Sequence, residues 1–497
     1  MYMLAVIALA LWLDRIASVS HVLCLAAGVV VLLDPWAVMW PGFWLSFGAV
    51  AMILYASVGR TVARSVPPGD AGAEVCDTTM DGVPVALPSR RERYWEGLKM
   101  AAHAQYVVTL GLVPLTMLLF AQFSVISPLA NAVAIPLVSL VVTPLALLGS
   151  LLPQPAAGLL LGTAHEAVRL LAHGLQWLSG LSFAVWSAPT PPWWIFCGAL
   201  FGTLWMLAPR GWPVRWLGGA SWIPLLAALP SHPPAGALRV TAFDVGQGMA
   251  LLVETGSHRL LYDTGPSYSP ESNGGNRVIV PYLRARGITA LDGLIVSHGD
   301  TDHSGGALTV LENIRVGWTA SSLSPGHPVV RAAKRHLRCE AGQGWTWDGV
   351  RFEVLHPSAA SYDDAALKTN ARSCTLRISA GGRAMLLAGD IEAPQEAELL
   401  TRVGGRLKAD VLLAPHHGSG TSSTMPFLEA VRPTLAVFQV GYRNRYHHPQ
   451  PEVYRRYAGA GIARLRSDEA GAIVIDFDDN VRSSAYRVAH ARYWYGR

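Results

Sequence analysis

The segment Leu294–Ala307, LIVSHGDTDHSGGA, places His298, Asp300, Asp302 and His303 directly behind an apolar run. Imidazole and carboxylate are the nitrogen and oxygen ligands that a borderline or hard divalent metal takes. They converge from one loop only if the backbone curls, which Gly299, Gly305 and Gly306 permit. A solvated turn whose Asp and His cap the next helix would use the same residues. Three further stretches repeat the pattern. MLLAGDIE puts Asp390 at the end of an apolar run, VLLAPHHGSGTSS puts His416 and His417 at the end of another, and GYRNRYHHP puts His447 and His448 after a third. Taken singly, each reads as a cap or a packed imidazole. Four strand ends that all carry His or Asp predict a metal site assembled from several loops.

The elements that must position these residues begin at Ala237. ALRVTAFDVG, MALLVETG, HRLLYDTG, LDGLIVSHGD, VRFEVLHP, CTLRISAGG, AMLLAGD, ADVLLAPHHG and TLAVFQVG read as short strands, each ending at Gly, Asp, His or Pro. Helical runs at 277–286, 304–313, 394–403 and 451–460 lie between them, which predicts a layered α/β domain over 231–497. Its chemistry is expected where strands end and loops begin.

Residues 1–230 are different in kind. The whole chain is 51% apolar and only 15% charged, where a soluble domain carries about 25% charge. Candidate membrane spans are 1–13, 16–33, 37–57, 101–121, 124–152, 155–186, 192–209 and 216–230. The opening MYMLAVIALALWLDR reads as a membrane helix and not a signal peptide, since no basic region precedes its apolar run. Pro128, Pro136 and Pro144 predict a broken or kinked helix. His165, Glu166, Arg169 and His173 suit an interfacial helix or a channel wall, and 216–230 is short for a crossing. Residues 58–100 read as an exposed loop, and Arg60, Arg64, Arg90, Arg91, Arg93 and Lys99 place it on the cytoplasmic side. Arg210 and Arg215 do the same for the turn before the last span, so counting spans puts 231–497 on the outer face. The cysteines 24, 76, 197, 339 and 374 form no Cys-x-x-Cys pair. Cys339 and Cys374 would pair in an oxidising compartment, which spacing alone leaves open.

The order His298-Gly-Asp300-Thr-Asp302-His303 resembles the His-x-His-x-Asp-His signature of the metallo-β-lactamase superfamily, and FDVGQG (243–248) and YDTGP (262–266) resemble its opening strands. The resemblance implies an αββα sandwich in which Asp390 bridges two metals. His298 and Asp300 would serve the first. Asp302 and His303 would serve the second with His416, His417 being the fallback. Asp300 stands where most members have His, and NARSC, Asn370 to Cys374, stands where most have another His. Both changes replace nitrogen by oxygen, thin the first site and shift preference from zinc toward manganese or magnesium.

In the other half, PGFWLSFGAV (41–50) and SPLANAVAIPLVSLVVTPLALL (127–148) resemble the competence domain of ComEC/Rec2-type DNA-internalisation proteins. So do NARSC, PHHGSGTSS, NRYHHP and RSDEAGAI in the hydrolase half, and the likeness runs from about residue 5 to 480. Met249 follows VGQG where many relatives have Asp. Those relatives carry earlier membrane helices and an oligonucleotide-binding fold, so this chain is expected to be an N-terminally truncated form.

The resemblance implies a multi-pass polytopic α-helical inner-membrane channel component for natural transformation. Its periplasmic hydrolase domain would be a metal-dependent nuclease that degrades the non-transported DNA strand. Asp302, or the bridging Asp390, would hold the attacking hydroxide, and His448 would donate a proton or hydrogen bond to the leaving oxygen. Arg443 and Arg445 would hold neighbouring phosphates, and Asn370, Ser373, His417 and Ser419 would donate to the substrate. The implied cofactor is one or two divalent ions, manganese or zinc, with magnesium as a third candidate. The implied partners are a single DNA strand, the bilayer and other uptake proteins. Gln105, Gln122 and Asn131 would line a pore or join helix to helix. Two rival readings stand beside this one. One is a membrane-tethered hydrolase of a small ester, thioester or lactone; the other is a transport protein whose soluble domain has lost its metal.

Overall fold

The computed structural model describes residues 19–57, 75–78, 84–86, 89–209, 211–364, 366–478, 480–492 and 495. The chain divides into two compact units between Leu229 and Pro230.

The described N-terminal unit is built on helices α1 (Val19–Leu33), α2 (Pro41–Ser57), α3 (Arg90–Phe120), α4 (Ser127–Leu151), α5 (Ala156–Ser179) and α6 (Trp193–Leu207). The span expected at 1–13 lies outside the described residues, as does 58–74. Among the described residues, Arg91–Phe120 and Ser127–Leu151 are long and apolar enough to cross a membrane; Ser20–Leu33, Pro41–Ser57 and Trp193–Leu207 are apolar but shorter. Four sequence expectations are corrected here. The loop expected to reach residue 100 stops at Ser89, because Ser89 and Glu92 form a capping box that starts α3 within the basic stretch. Residues 75–78 and 84–86 within that loop pair as an antiparallel hairpin. Of the broken or kinked helix expected from the prolines of α4, the break is absent but the α-geometry is interrupted, by a π-helical stretch, Val138–Val142, between Pro136 and Pro144.

The fourth correction concerns 216–230. Its first part is a 3-10 helix, Arg215–Trp222, followed by one α-turn, Ile223–Leu226. It runs back along α6. Arg215 donates to Met206 O (2.8 Å), Trp222 Nε1 to Thr203 Oγ1 (2.9 Å), and Trp186 Nε1, ahead of α6, to Leu226 O (3.2 Å). At about 2.0 Å per 3-10 residue and 1.5 Å per α residue, this segment covers about 22 Å, the length of α6. The contact needs glycine on both sides, since a Cβ on Gly202 would overlap Ser221 and Gly218. Gly202→Ala is therefore expected to destabilise this unit by about 1–3 kcal/mol, read as earlier unfolding of the purified full chain in a denaturant titration.

The C-terminal unit is two sheets face to face with helices outside. The first sheet uses β1 (Leu238–Ala242), β2 (Leu251–Glu254), β3 (Arg259–Tyr262), β4 (Ala290–Val296), β5 (Arg315–Ser321) and β6 (His336–Arg338). The second uses β7 (Gly344–Trp347), β8 (Val350–His356), β9 (Thr375–Ala380), β10 (Arg383–Leu387), β11 (Val411–Leu413), β12 (Leu435–Phe438) and β13 (Ala463–Arg466). The chain then returns to the first sheet as β14 (Ile473–Phe477) and β15 (Val481–Ala485), giving the order β6-β5-β4-β3-β2-β1-β14-β15. β3 to β6 are parallel, as are β10 to β13. Parallel strands are connected by crossovers, so helices cover both outer faces and the strands are apolar on both sides. Leu260, Tyr262, Phe352, Leu376, Leu387, Val411 and Ile475 fill the space between the sheets. Leu399, Phe427, Val453 and Tyr457 pack helices onto the second sheet, and Leu283 and Val310 do so on the first. The αββα sandwich expected from the sequence is the observed layering. Cys339 and Cys374 are disulfide-bonded with Cα atoms 6.0 Å apart.

Candidate metal centre

In both sheets the parallel strands β3, β4, β10, β11 and β12 end in the loops that bear His and Asp. β4 delivers Ser297 and the curl that follows. The keystone is Asp263, one residue beyond β3, fully buried and at φ 59°. It accepts hydrogen bonds from Ser297 N (2.6 Å) and Ser297 Oγ (2.8 Å), and it holds His303 Nδ1 at 2.8 Å. Its hold on Nδ1 leaves His303 Nε2 facing the centre of the site. Asp263, within YDTGP, carries no role among the expectations from sequence, although an Asp at a strand end is the same signal that marks Asp390.

β10 ends at Leu387, and two residues on Gly389, with φ 60°, turns Asp390 inward. Asp390 N donates to Ser373 Oγ (3.1 Å), and Ser373 Oγ also lies 3.4 Å from His298 Nδ1. Around His303 Nε2 stand Asp390 Oδ1 at 3.2 Å, His417 Nε2 at 3.2 Å and Asp302 Oδ2 at 4.0 Å. Two groups of ligand atoms, each within 4.8 Å of one another, result: His298, His303 and Asp390, and Asp302, His303 and His417.

The adjacent pair His416–His417 sits in a left-handed turn, with φ 49° and 55°. That turn sends the two rings different ways. His417 is buried, gives Nδ1 to Gln439 O (2.7 Å) and brings Nε2 to 3.4 Å from Asp302. His416 stays at the rim, 3.7 Å from Asp390 and 3.3 Å from Glu392. The place expected for His416 beside Asp302 and His303 is thus taken by His417. His417→Ala is expected to weaken divalent-metal affinity by about 10–100-fold or more, and His416→Ala by less than that; calorimetric titration of each variant with manganese separates them.

The other expected residues are distributed as follows. Asp300 is half exposed, accepts from Thr369 Oγ1 (2.6 Å) and lies 3.7 Å from His298 Nε2, outside both groups. Asn370 Nδ2 approaches His416 Nε2 at 3.5 Å. Ser419 Oγ lies 3.1 Å from Thr421 Oγ1, which in turn lies 3.4 Å from His416 Nδ1. Arg443 lies over its neighbour Tyr442, and Arg445 over Tyr446, both exposed. His448 stacks 6.3 Å from His417 and meets His416 edge-on at 5.7 Å. Burial and the neighbouring imidazoles push it down to about 4. The neutral ring is thereby favoured, a form that can give a hydrogen bond to a substrate oxygen.

The donor set fits a divalent cation. His298 Nε2 and Asp390 Oδ1 are buried without a hydrogen-bond partner among the described residues, a state that costs about 1–3 kcal/mol per group unless something satisfies it. Burial works against ionisation of Asp302 and Asp390, yet His417 and His303 hold both well below the usual carboxylate range. Burial likewise opposes protonation of His303, and Asp390 and Asp263 override it. Carboxylates that remain charged in a buried pocket attract positive charge, and imidazoles aimed at them by second-layer oxygens are the usual company of a metal.

Residues 1–213 match the competence protein family, and residues 243–441 match the metallo-β-lactamase superfamily. The chain is 38% identical over 459 residues to Competence protein ComA of Neisseria gonorrhoeae, covering 90% of this chain and 57% of that protein. It is 33% identical over 266 residues to Recombination protein 2 of Haemophilus influenzae, covering 52% of this chain and 31% of that one. To ComE operon protein 3 of Bacillus subtilis it is 28% identical over 506 residues, 94% of this chain and 59% of that protein. The chain spans less than two thirds of the length of each of these relatives. With a competence-protein domain followed by a metallo-β-lactamase domain in one chain, this protein belongs to the ComEC/Rec2-type competence proteins.

Proposed function

We propose that the chain acts in DNA uptake at a membrane, and that its C-terminal domain is a metal-dependent phosphodiesterase that degrades the strand not taken in. The observation that carries this reading is the pairing of two ligand groups around His303 with a competence-protein domain in the same chain. A bound divalent ion supplies a water of lowered pKa and draws charge from the phosphate oxygens. His303, His417, Asp302, Asp390 and His298 would hold it, a mixed nitrogen and oxygen donor set that suits manganese or zinc. Asp302 Oδ2, at the rim and partly exposed, orients the attacking water. Neutral His448 and Asn370 donate hydrogen bonds to the phosphate, and exposed Arg443 and Arg445 take its neighbours on the strand.

The membrane unit is read as multi-pass. The antiparallel run of 215–226 along α6 acts as a crossing and so keeps the hydrolase domain on the outer face. The Cys339–Cys374 disulfide supports that side, since such bonds persist in oxidising compartments. Other uptake proteins are the expected partners.

The test is the purified full chain in lipid nanodiscs with manganese and an end-labelled single-stranded oligonucleotide, beside a lactone and a thioester. Cleavage of the oligonucleotide that chelation stops supports the proposal. Turnover of the small ester with an intact oligonucleotide overturns it in favour of the tethered-esterase reading.

A further inference from the structure

β4 carries the metal loop at its C-terminal end. Its other end, near Asp292, opens into a cleft of about 640 Å³ lined by His258, Asp292, Arg315, Trp318, Arg335 and Trp347. A second cavity of about 340 Å³ continues it between the sheets along Trp345 and Leu337. Ala290, Leu291 and Asp292 line it, so at about 3.3 Å per residue the rest of β4 separates this cleft from the metal loop by about 13 Å, and no residue of either ligand group lines it. It is therefore no part of the metal centre.

Aromatic rings line the cleft. Trp318, Trp345 and Trp347 are half-buried, with centroids 5.4 to 6.1 Å apart, and His258 stacks on Trp347 at 4.9 Å and 7°. The indole of Trp318 lies against β4 at Gly293, where any side chain would collide with it. Beside the rings runs the exposed basic segment RAAKRHLR, 331–338, which forms the edge of the first sheet. Arg338 pairs with Glu340 (3.2 Å), whereas Arg315, Lys334 and Arg335 make no ion pair among the described residues. The acids at the cleft are already engaged: Asp292 accepts from Arg259 N (2.8 Å), and Asp348 from Thr255 (2.7 Å), Ser257 (2.6 Å) and His258 (3.1 Å). The basic edge also leads toward the metal loop, since Cys339, the residue after β6, is bonded to Cys374 beside Ser373.

Exposed edge cations alone would serve to keep sheets apart. Cations beside a set of half-exposed indoles at an open cleft match the chemistry of a single strand, whose phosphates take the charges and whose bases stack on the rings. We propose that this edge, with Trp318 and Trp347 as stacking platforms and Arg315, Lys334 and Arg335 as phosphate contacts, binds a stretch of single-stranded DNA several nucleotides away from the bond to be cut. The inference rests on the reading that DNA is the substrate, and its test separates the two.

The full chain in zwitterionic nanodiscs is titrated, in EDTA, against fluorescein-labelled oligothymidylate by anisotropy. Trp318→Ala with Trp347→Ala is expected to weaken binding about tenfold or more, and the corresponding Phe variants to keep most of it. Arg315→Gln, Lys334→Gln and Arg335→Gln together should flatten the slope of log affinity against log salt by about 2, at 0.7 per lost phosphate contact. Should the alanine variant fail to fold, this surface-charge variant carries the test. Binding that ignores both sets of changes overturns the inference. So does a charge variant that loses affinity only for anionic phosphatidylglycerol vesicles, which would make the edge a membrane contact. Failure of manganese-dependent cleavage, with oligothymidylate binding still following the tryptophans and arginines, removes the nuclease proposal and leaves this one standing.

Discussion

Asp390→Asn is expected to abolish metal-dependent hydrolysis, by on the order of 10³-fold or more, because it removes the charge on which the metal depends. Asp390 is 2% exposed. Its two oxygens face three imidazoles: His303 at 3.2 Å, and His416 and His417 each at 3.7 Å. Asparagine preserves shape and the backbone bond from Asp390 N to Ser373, so the loop stays in place while the anion is lost. Manganese titration by calorimetry is the direct readout, with cleavage as the second. Wild-type manganese affinity in the asparagine variant would show that the site is built elsewhere. Asp300→Asn provides the contrast. Its carboxylate is half exposed, already bonded to Thr369 and outside both ligand groups, so its loss is expected to cost less than tenfold.

The ranking of those two aspartates was not legible in the sequence, though much around them was. Continuous apolar runs stopped by Gly, Asp or His marked β4, β10, β11 and β12, and with them the strand ends where the site gathers. Local pattern suffices there because a buried parallel strand must be apolar along its whole length. Which of two adjacent imidazoles points inward was a different matter. His416 and His417 are distinguished only by the left-handed turn they share, a conformation that neighbouring loops impose and residue type does not reveal. Asp263 was overlooked because it stands alone after β3, and its value arises from Ser297 and His303, more than thirty positions away. In the membrane half, hydropathy found the apolar helices but misjudged both their edges and their geometry. The Ser89–Glu92 capping box starts a helix among charges, and the 215–222 segment becomes 3-10 because Gly202 and Gly218 let it press against α6. Both are contacts, and composition averages them away. The disulfide, too, needed the fold, since Cys339 follows a strand of the first sheet and Cys374 precedes one of the second, and they meet in the core between them.

The same reasoning makes Asp263 the most consequential residue that binds no metal. Asp263→Asn keeps the volume and replaces a carboxylate that takes two donors from Ser297 and one imidazole nitrogen from His303. Removing one partner of a fully buried charge network is expected to destabilise the fold by about 3–5 kcal/mol. Loss of the imidazole's orienting group should also lower metal affinity by about 10–100-fold. A pH series on the metal-free protein tests the electrostatics independently. In the wild type, burial disfavours the His303 imidazolium, but Asp390 and Asp263 raise its pKa well above the ordinary 6.5. A raised pKa in the folded state means that this contribution to stability is fully present below pH 6.5 and fades as pH rises through the higher folded value. With Asp263 replaced, Asp390 and the more distant Asp302 remain to hold the proton, so the decline should still begin near pH 6.5 but end at lower pH and be smaller. An unfolding temperature that falls with pH equally in wild type and variant would show that His303 draws nothing from Asp263, and the second layer of the site would have to be sought elsewhere.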